Sequence, residues 1–267
     1  MDDFLEEAQK VAVAAAKEAG KIQLKHYSSD LKISIKGNNV RDVVTIADME
    51  ADALIRRLIL EKFPDHSIIT EENEPRIGKE GNEYVWCVDP IDGTMNYSKG
   101  SNYFTVSIAL LKGEEPLLGV IYNPIFPELY LAVKGKGAFL NGKRIHVANT
   151  TALNQAMLCC DFPNKDSERQ KLLQIIGQLL FDLNSIRVKG SGTLEMCELA
   201  RGSVDIHINL KSTPWDYAAA SLIVLEAGGV VTDSDGKEWR SSSKNIIAAA
   251  GKALHGELLG KVKATLK

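Results

Sequence analysis

A mixed α/β protein whose two halves share one compact body is expected from three observations. The chain opens on helical spacing, continues through a run of short apolar strands, and alternates strand and helix from about residue 149 onward. At 267 residues with 45% hydrophobic side chains it can bury a substantial core. No flexible linker, repeat or low-complexity segment divides it. Residues 1–148, an α+β half, and 149–267, an α/β half, are therefore expected to pack as one unit with the active site in the seam.

Taken in order, Phe4 to Tyr27 places Leu5, Ala8, Ala12, Ala15, Ala19 and Ile22 on one helical face. Leu31, Ile33 and Ile35 alternate with Lys32 and Ser34 as in a half-exposed strand, which Gly37-Asn38-Asn39 breaks; the Lys36 loop is polar. A second helix spans about Thr45 to Phe63 and stops at Pro64. Strands are expected at Ser67 to Thr70, Tyr84 to Val88, Tyr103 to Leu111, Leu117 to Tyr122 and Leu129 to Val133, with Asn141-Gly142 a hairpin turn. The pattern reads as helices on a mostly antiparallel sheet. After residue 149 come strand Met157 to Cys160, helix Glu168 to Phe181, strand Ser185 to Val188, helix Thr193 to Ala200, strand Val204 to Ile208 and helix Pro214 to Ala227. Strands at Val230-Val231 and Asn245 to Ala249 and a helix from about Ala253 complete the chain.

Composition narrows the function. A net charge of −3 gives no general cationic footprint, so nucleic acid is not expected as the main partner and small substrates are. Cys87, Cys159, Cys160 and Cys197 form no C-x-x-C pair and read as reduced core residues. Asp2 and Asp3 are not a basic leader, and no apolar run reaches membrane-spanning length, so a cytoplasmic enzyme without membrane contact is the default expectation. His26, His66, His146, His207 and His255 lack ligand spacing and are given no chemistry.

The most informative stretch is Asp89-Pro90-Ile91-Asp92-Gly93-Thr94, directly after the apolar run Tyr84 to Val88. A buried strand ending in Asp delivers an acid to its carboxyl edge, where open α/β sheets bind ligands. Pro90 and Gly93 shape a turn that aims Asp89 and Asp92 at one point. Two converging carboxylates repel unless one is protonated or a cation lies between them, and a hard divalent cation such as Mg²⁺ suits them, with the Ile91 carbonyl as a further ligand. The plain alternative is a turn with Asp as its helper and no ion.

Three more acids bear on this. Glu71, beside Glu72, follows the apolar strand at Ser67 to Thr70. Asp48 lies three residues after Thr45 and Asp216 three after Thr213, with Pro214 between; both therefore also read as capping-box acids. What favours a site is the combination: Asp48, Glu71, Asp89, Asp92 and Asp216 all occupy strand ends or helix starts, where ligands gather.

In combination these residues resemble the inositol monophosphatase family, Mg²⁺-dependent, lithium-sensitive sugar phosphatases that include fructose-1,6-bisphosphatases and nucleotide 3′-phosphatases. The segments that carry the resemblance are Asp42 to Asp48, Ile69 to Glu72, Trp86 to Tyr97, Gly190-Ser191-Gly192-Thr193, and Trp215 to Ala219 followed by Glu226-Ala227-Gly228-Gly229. The resemblance implies an inositol monophosphatase/fructose-1,6-bisphosphatase-like α/β/α/β/α layered sandwich and a homodimer. Periodicity alone leaves an α/β-hydrolase or nucleotide-binding fold open.

Carried over position by position, the family pattern implies Glu71, Asp89 and the Ile91 carbonyl as ligands of a first Mg²⁺, and Asp89, Asp92 and Asp216 of a second. A third ion is implied near Glu71 and the Lys36 loop, giving two to three per site. The implied reaction is direct hydrolysis of a phosphate monoester by metal-activated water. Thr94 receives its proton, Asp48 orients Thr94, and Glu71 assists. Gly93 and Thr94 offer backbone N–H groups to the phosphate. On the substrate side the expected contacts are Gly192, Thr193, Lys189, Asn209 and Asp216, with Asn209 where animal relatives carry an acid, Thr213 in place of a histidine, and Lys189 in place of an arginine.

The expected substrate is a small phosphorylated sugar or polyol, inositol 1-phosphate first. Lys189, Arg187 and Lys211 keep fructose 1,6-bisphosphate, or activity on both, as the alternative. A nucleotide bisphosphate is disfavoured by Asn96-Tyr97, which resembles the inositol branch. A silent scaffold predicts loss of a metal acid or of Thr94, and none is lost. A Ca²⁺ module of EF-hand type is disfavoured because the acids are dispersed.

Overall fold

A computed structural model describes residues 2–27, 33–35 and 43–266. The chain begins with helix α1 (Asp2–His26), a short pair β1 (Ile33–Ile35) and β2 (Val43–Thr45), and helix α2 (Ile46–Lys62). A seven-stranded sheet follows: β3 (Ser67–Thr70), β4 (Tyr84–Asp92), β5 (Thr105–Lys112), β6 (Glu115–Asn123), β7 (Glu128–Val133), β8 (Gly137–Leu140) and β9 (Lys143–Arg144), with the short helix α3 (Thr94–Ser98) between β4 and β5. The strands lie side by side in chain order. Only the β3–β4 pair is parallel, as the mostly antiparallel reading expects. Asn141 and Gly142 both have positive φ, 49° and 78°, which is why this pair turns the β8–β9 hairpin.

The second half contains β10 (Met157–Cys160), α4 (Asp166–Leu179), β11 (Ser185–Arg187), α5 (Gly192–Ala200), β12 (Ile206–Asn209), α6 (Pro214–Glu226), β13 (Val230–Thr232), β14 (Ile246–Ala249) and α7 (Lys252–Thr265). Its sheet has the order β11-β10-β12-β14-β13. The first three strands are parallel, so β11, β10 and β12 present their carboxyl ends along one edge.

Five layers result. Helices α1 and α2 cover the outer face of the large sheet, where Ala8, Ala12, Ala15, Ala16 and Ala19 are fully buried and let the α1 backbone come close. Helices α5 and α6 fill the space between the two sheets. All nine residues of α5 and the unbroken run Tyr217 to Val224 of α6 are buried. A helix enclosed on every side needs no polar face, which accounts for the apolar run Ala218-Ala219-Ala220. The outer face of the small sheet is covered by α4 and α7. This is the α/β/α/β/α layered sandwich; the hydrolase and nucleotide-binding alternatives do not describe it.

The α6–sheet contact is tightest at Gly119 of β6, where a Cβ would stand 2.7 Å from the Ala219 carbonyl oxygen. Backbone cannot give way as a flexible side chain can, so Gly119→Ala is expected to cost about 2 kcal/mol. Urea unfolding of the variant checks this, and an unchanged midpoint would place α6 farther from the sheet.

Two expectations need adjustment. Asp89 to Asp92 is not a turn but the end of strand β4, and the turn comes one residue later at Gly93, whose φ is 87°. Glu168 begins no helix; α4 starts at Asp166 and stops at Leu179. All four cysteines are free and buried, as composition suggests. Among the described residues no helix is long and apolar enough to cross a membrane.

Candidate active site

Strand β4 explains how two acids three residues apart come to face the same way. Side chains alternate along a strand, so positions i and i+3 normally point to opposite faces. Here Asp89 pairs with Ser107 and Asp92 with Thr105 across the β4–β5 ladder: two residues on β4 oppose one on β5. This bulge takes up one residue and returns Asp92 to the face of Asp89. The Ile91 N–H donates to Asp89 Oδ1 at 2.9 Å, and the Gln23 amide of α1 donates to the Pro90 carbonyl at 2.7 Å, which fixes the bulge from both sides.

Asp216, in the first turn of α6, completes the cluster. One oxygen each from Asp89, Asp92 and Asp216 lie within 4.8 Å of one another. They open into a cavity of about 260 Å³ whose wall also includes Glu71, Ile91, Gly93, Thr94, Asp161, Gly192, Asn209, Lys211, Trp215 and Tyr217. Burial raises all three carboxyls, and their mutual repulsion and that of Glu71 add to it. Asp89 stands well above the usual carboxylate range and Asp216 reaches about 8. Hard oxygen donors that repel one another in a buried site fit a divalent cation such as Mg²⁺, which relieves the repulsion and takes carboxylate ligands.

The capping question has a different answer for each acid. Asp48 is a true capping acid: its Oδ2 accepts the Thr45 N–H at 2.7 Å and the Thr45 hydroxyl at 2.6 Å. Its other oxygen, Oδ1, lies 3.3 Å from the Thr94 hydroxyl. The cap therefore locks the carboxylate that addresses Thr94. At Thr213 no side chain caps α6, so Asp216 is not committed to a capping box. Thr94 also donates to the Ile91 carbonyl at 2.9 Å, which ties the hydroxyl to the bulge.

Asp92 Oδ2 takes hydrogen bonds from the Ser191 hydroxyl and from the Thr193 hydroxyl and N–H, the last at 3.1 Å, at the positive end of α5. Thr193 is thus buried against Asp92, not exposed to the cavity. Gly93 needs its glycine for two reasons: its positive φ, and the Tyr103 and Gly190 carbonyls at 3.0 and 3.1 Å from where a Cβ would stand.

Other expected contacts lie elsewhere. The Lys189 ammonium is paired with Glu198 and sits 5.3 Å from the centre of the Tyr103 ring, away from the cavity wall. Asn209 reaches the wall, but its amide donates to the Tyr217 hydroxyl at 2.7 Å and its oxygen accepts the Lys211 N–H at 2.8 Å. The Lys36 loop and Asp42 lie outside the described residues.

Asp161 and a buried group behind it were not anticipated. Asp161 stands on the wall one residue past β10, beside Glu195 and His207, both 0% exposed, with His207 Nδ1 3.1 Å from Glu195 Oε2 and His207 Nε2 3.2 Å from the Tyr217 hydroxyl. The Nδ1–Oε2 approach is close in distance but off hydrogen-bond geometry. Burial holds Glu195 up at about 8, Asp161 well above the usual range, and His207 down at about 4. A strand-end signal for Asp161 was present, since it follows the apolar run Met157 to Cys160 as Asp89 follows Val88.

A five-layer sandwich in which Asp89 and Asp92 from the end of β4 meet Asp216 from the start of α6, beside an oriented hydroxyl, is the arrangement expected of a sugar-phosphatase family. The chain belongs to the inositol monophosphatase family, whose model matches residues 5–267. It is 36% identical over 257 residues to a fructose-1,6-bisphosphatase/inositol-1-monophosphatase of Aquifex aeolicus, covering 95% of this chain and 94% of the relative. It is 37% identical over 259 residues to the Nus factor SuhB of Pasteurella multocida, covering 96% of each. The crystal structure of extragenic suppressor protein suhB from Bartonella henselae superposes with a TM-score of 0.90 at 33% identity, covering 96% of this chain and 98% of that one.

Proposed function

We propose that the protein hydrolyses the phosphate monoester of a small sugar or polyol, inositol 1-phosphate first, with Mg²⁺. The observation that carries this is the convergence of Asp89, Asp92 and Asp216 within 4.8 Å, in the same cavity as Thr94. Glu71, Asp89, Asp92, Asp216 and the Ile91 carbonyl are the groups that would hold Mg²⁺, all of them on the cavity wall. When bound, the ion supplies Lewis-acid charge to the phosphoryl oxygens and lowers the pKa of a water.

The chain's own part is positioning and proton transfer. Thr94 takes the proton of the attacking water while its own hydroxyl proton passes toward Asp48 Oδ1, 3.3 Å away. The Thr45 cap holds Asp48 in the orientation this needs. No side chain caps α3, which leaves the N–H groups of Gly93 and Thr94 for the phosphate. Thr94→Ala is expected to lower kcat by about a hundredfold with a smaller change in KM. Steady-state kinetics decide this, and an equal loss confined to KM would make Thr94 a binding group only.

A second reading, hydrolysis of fructose 1,6-bisphosphate as well, is favoured by Lys211 on the cavity wall and by the name of the Aquifex relative. Phosphate release with Mg²⁺ from inositol 1-phosphate, fructose 1,6-bisphosphate, 3′-phosphoadenosine 5′-phosphate and glycerol 2-phosphate separates the two. Preference for inositol 1-phosphate supports the first reading and equal bisphosphate turnover the second. Release from none of them would contradict both.

A further inference from the structure

The site runs on past the metal acids. Glu71, Asp92, Gly93, Thr94, Asp161 and Gly192 border not only the cavity of the acids but also an adjoining one of about 480 Å³. Its wall continues to Phe162 and Arg169, where the chain leaves β10 and enters α4. A phosphate held at the metal acids thus leaves the rest of a hexose beside this second space. Of the three cations that the sequence offers for a second phosphate, Lys189 is paired with Glu198, and Arg187 stands on neither wall. Lys211 borders the first cavity, and its charge acts on Asp216, at the metal end.

Arg169 is placed differently. It is the fourth residue of α4 and half-buried, with its guanidinium carbon 5.6 Å from the centre of the Phe162 ring. Its Nε is buried with no hydrogen-bond partner. Among the described residues no carboxylate pairs with the side chain, although Asp166 and Glu168 stand within three residues of it on the same helix. Charges withdrawn from water are ordinarily paired, so a half-buried guanidinium without a carboxylate marks a place for an anion. The aromatic ring beneath it holds its planar fork in one orientation, and such a fork takes phosphate oxygens two at a time. Asp161, which borders both cavities, does not stand against this. Burial holds its carboxyl well above the usual range, and it shares a hydrogen bond with the Glu195 carboxyl.

We propose that Arg169 is a substrate-binding residue that receives the second phosphate of a sugar bisphosphate whose first phosphate lies at the metal acids. The inference rests on the monoester reading above and deepens its second form, activity on a bisphosphate as well. It is tested by binding and not by turnover. Wild-type protein and Arg169→Gln are titrated calorimetrically with fructose 1-phosphate and with fructose 1,6-bisphosphate, with Ca²⁺ in place of Mg²⁺ so that hydrolysis does not intervene. The two ligands differ only in the second phosphate. Wild type is expected to bind the bisphosphate about tenfold or more tightly than the monophosphate, and Arg169→Gln to bind the two alike, with its affinity for fructose 1-phosphate within about twofold of wild type. The ratio of the two affinities does not depend on the folded fraction of a sample. Arg169→Lys, which keeps the charge without the fork, is expected to keep part of the preference, and Lys211→Gln to keep all of it. Wild-type protein that binds both ligands alike would overturn the proposal, as would a preference that survives in Arg169→Gln or is lost in Lys211→Gln instead. Wild-type protein that shows the expected preference, yet releases no phosphate with Mg²⁺, would sink the phosphatase reading and leave Arg169 as the bisphosphate receptor of a binding site.

Discussion

Asp89→Asn is expected to reduce phosphate release by about a thousandfold or more, the equivalent of about 4 kcal/mol of barrier. The substitution is nearly isosteric, and Asp89 is 2% exposed, so the loss should come without unfolding. Asp89 is the acid through which the others communicate: burial raises it first, then Glu71, Asp92, Asp216 and Asp48 in turn. An amide there removes the charge at the centre of the cluster and leaves the remaining acids without a shared ligand. Circular dichroism of the variant should match wild type, and Mg²⁺ should no longer raise its melting temperature. Retained Mg²⁺-dependent activity would mean that the cation sits elsewhere.

The second large effect concerns stability and has the opposite sign. Folding without metal raises Asp89, Asp92 and Asp216, the last to about 8, against about 4 in an unfolded chain. The native state then holds protons that the unfolded chain has released, so stability without metal falls as pH rises from about 4 toward 8. Asp216→Asn removes one of the repelling charges. In chelator at about pH 8 it is expected to melt about 5 °C above wild type, a gap that shrinks as pH falls toward 4. With saturating Mg²⁺ the order should reverse, because only wild type keeps its full ligand set. A variant that melts below wild type in chelator at the higher pH would show that Asp216 stabilises the fold by contacts of its own. Function at this site is therefore held at a cost to the metal-free protein, as is common where charges are gathered for catalysis.

How much of this could be seen in the residues varies with the kind of interaction involved. Strand β4 was readable to Val88 because its apolar run is unbroken, and the acids after it were readable as a ligand set because Pro90 and Gly93 mark a change of direction. The bulge that actually aligns Asp89 and Asp92 was not, since the register of a strand is set by its partner, here Ser107 and Thr105. Asp48 looked equally like a cap and a site residue, and the fold uses one oxygen for each. Glu195 lies in the first turn of α5, where an acid ordinarily faces water. Only the two sheets closing over α5 turn it into a buried group beside Asp161. Lys189 read as a cation for substrate because its partner Glu198 is nine residues away, and the helix that brings them together had to form first.

The most direct test of the central claim is a titration of phosphate release from inositol 1-phosphate against Mg²⁺, with wild type and Asp89→Asn side by side. Saturable, Mg²⁺-dependent release by wild type, abolished by chelator and absent from the variant, is the predicted result. Release that persists in chelator, or that Asp89→Asn retains in full, would contradict it.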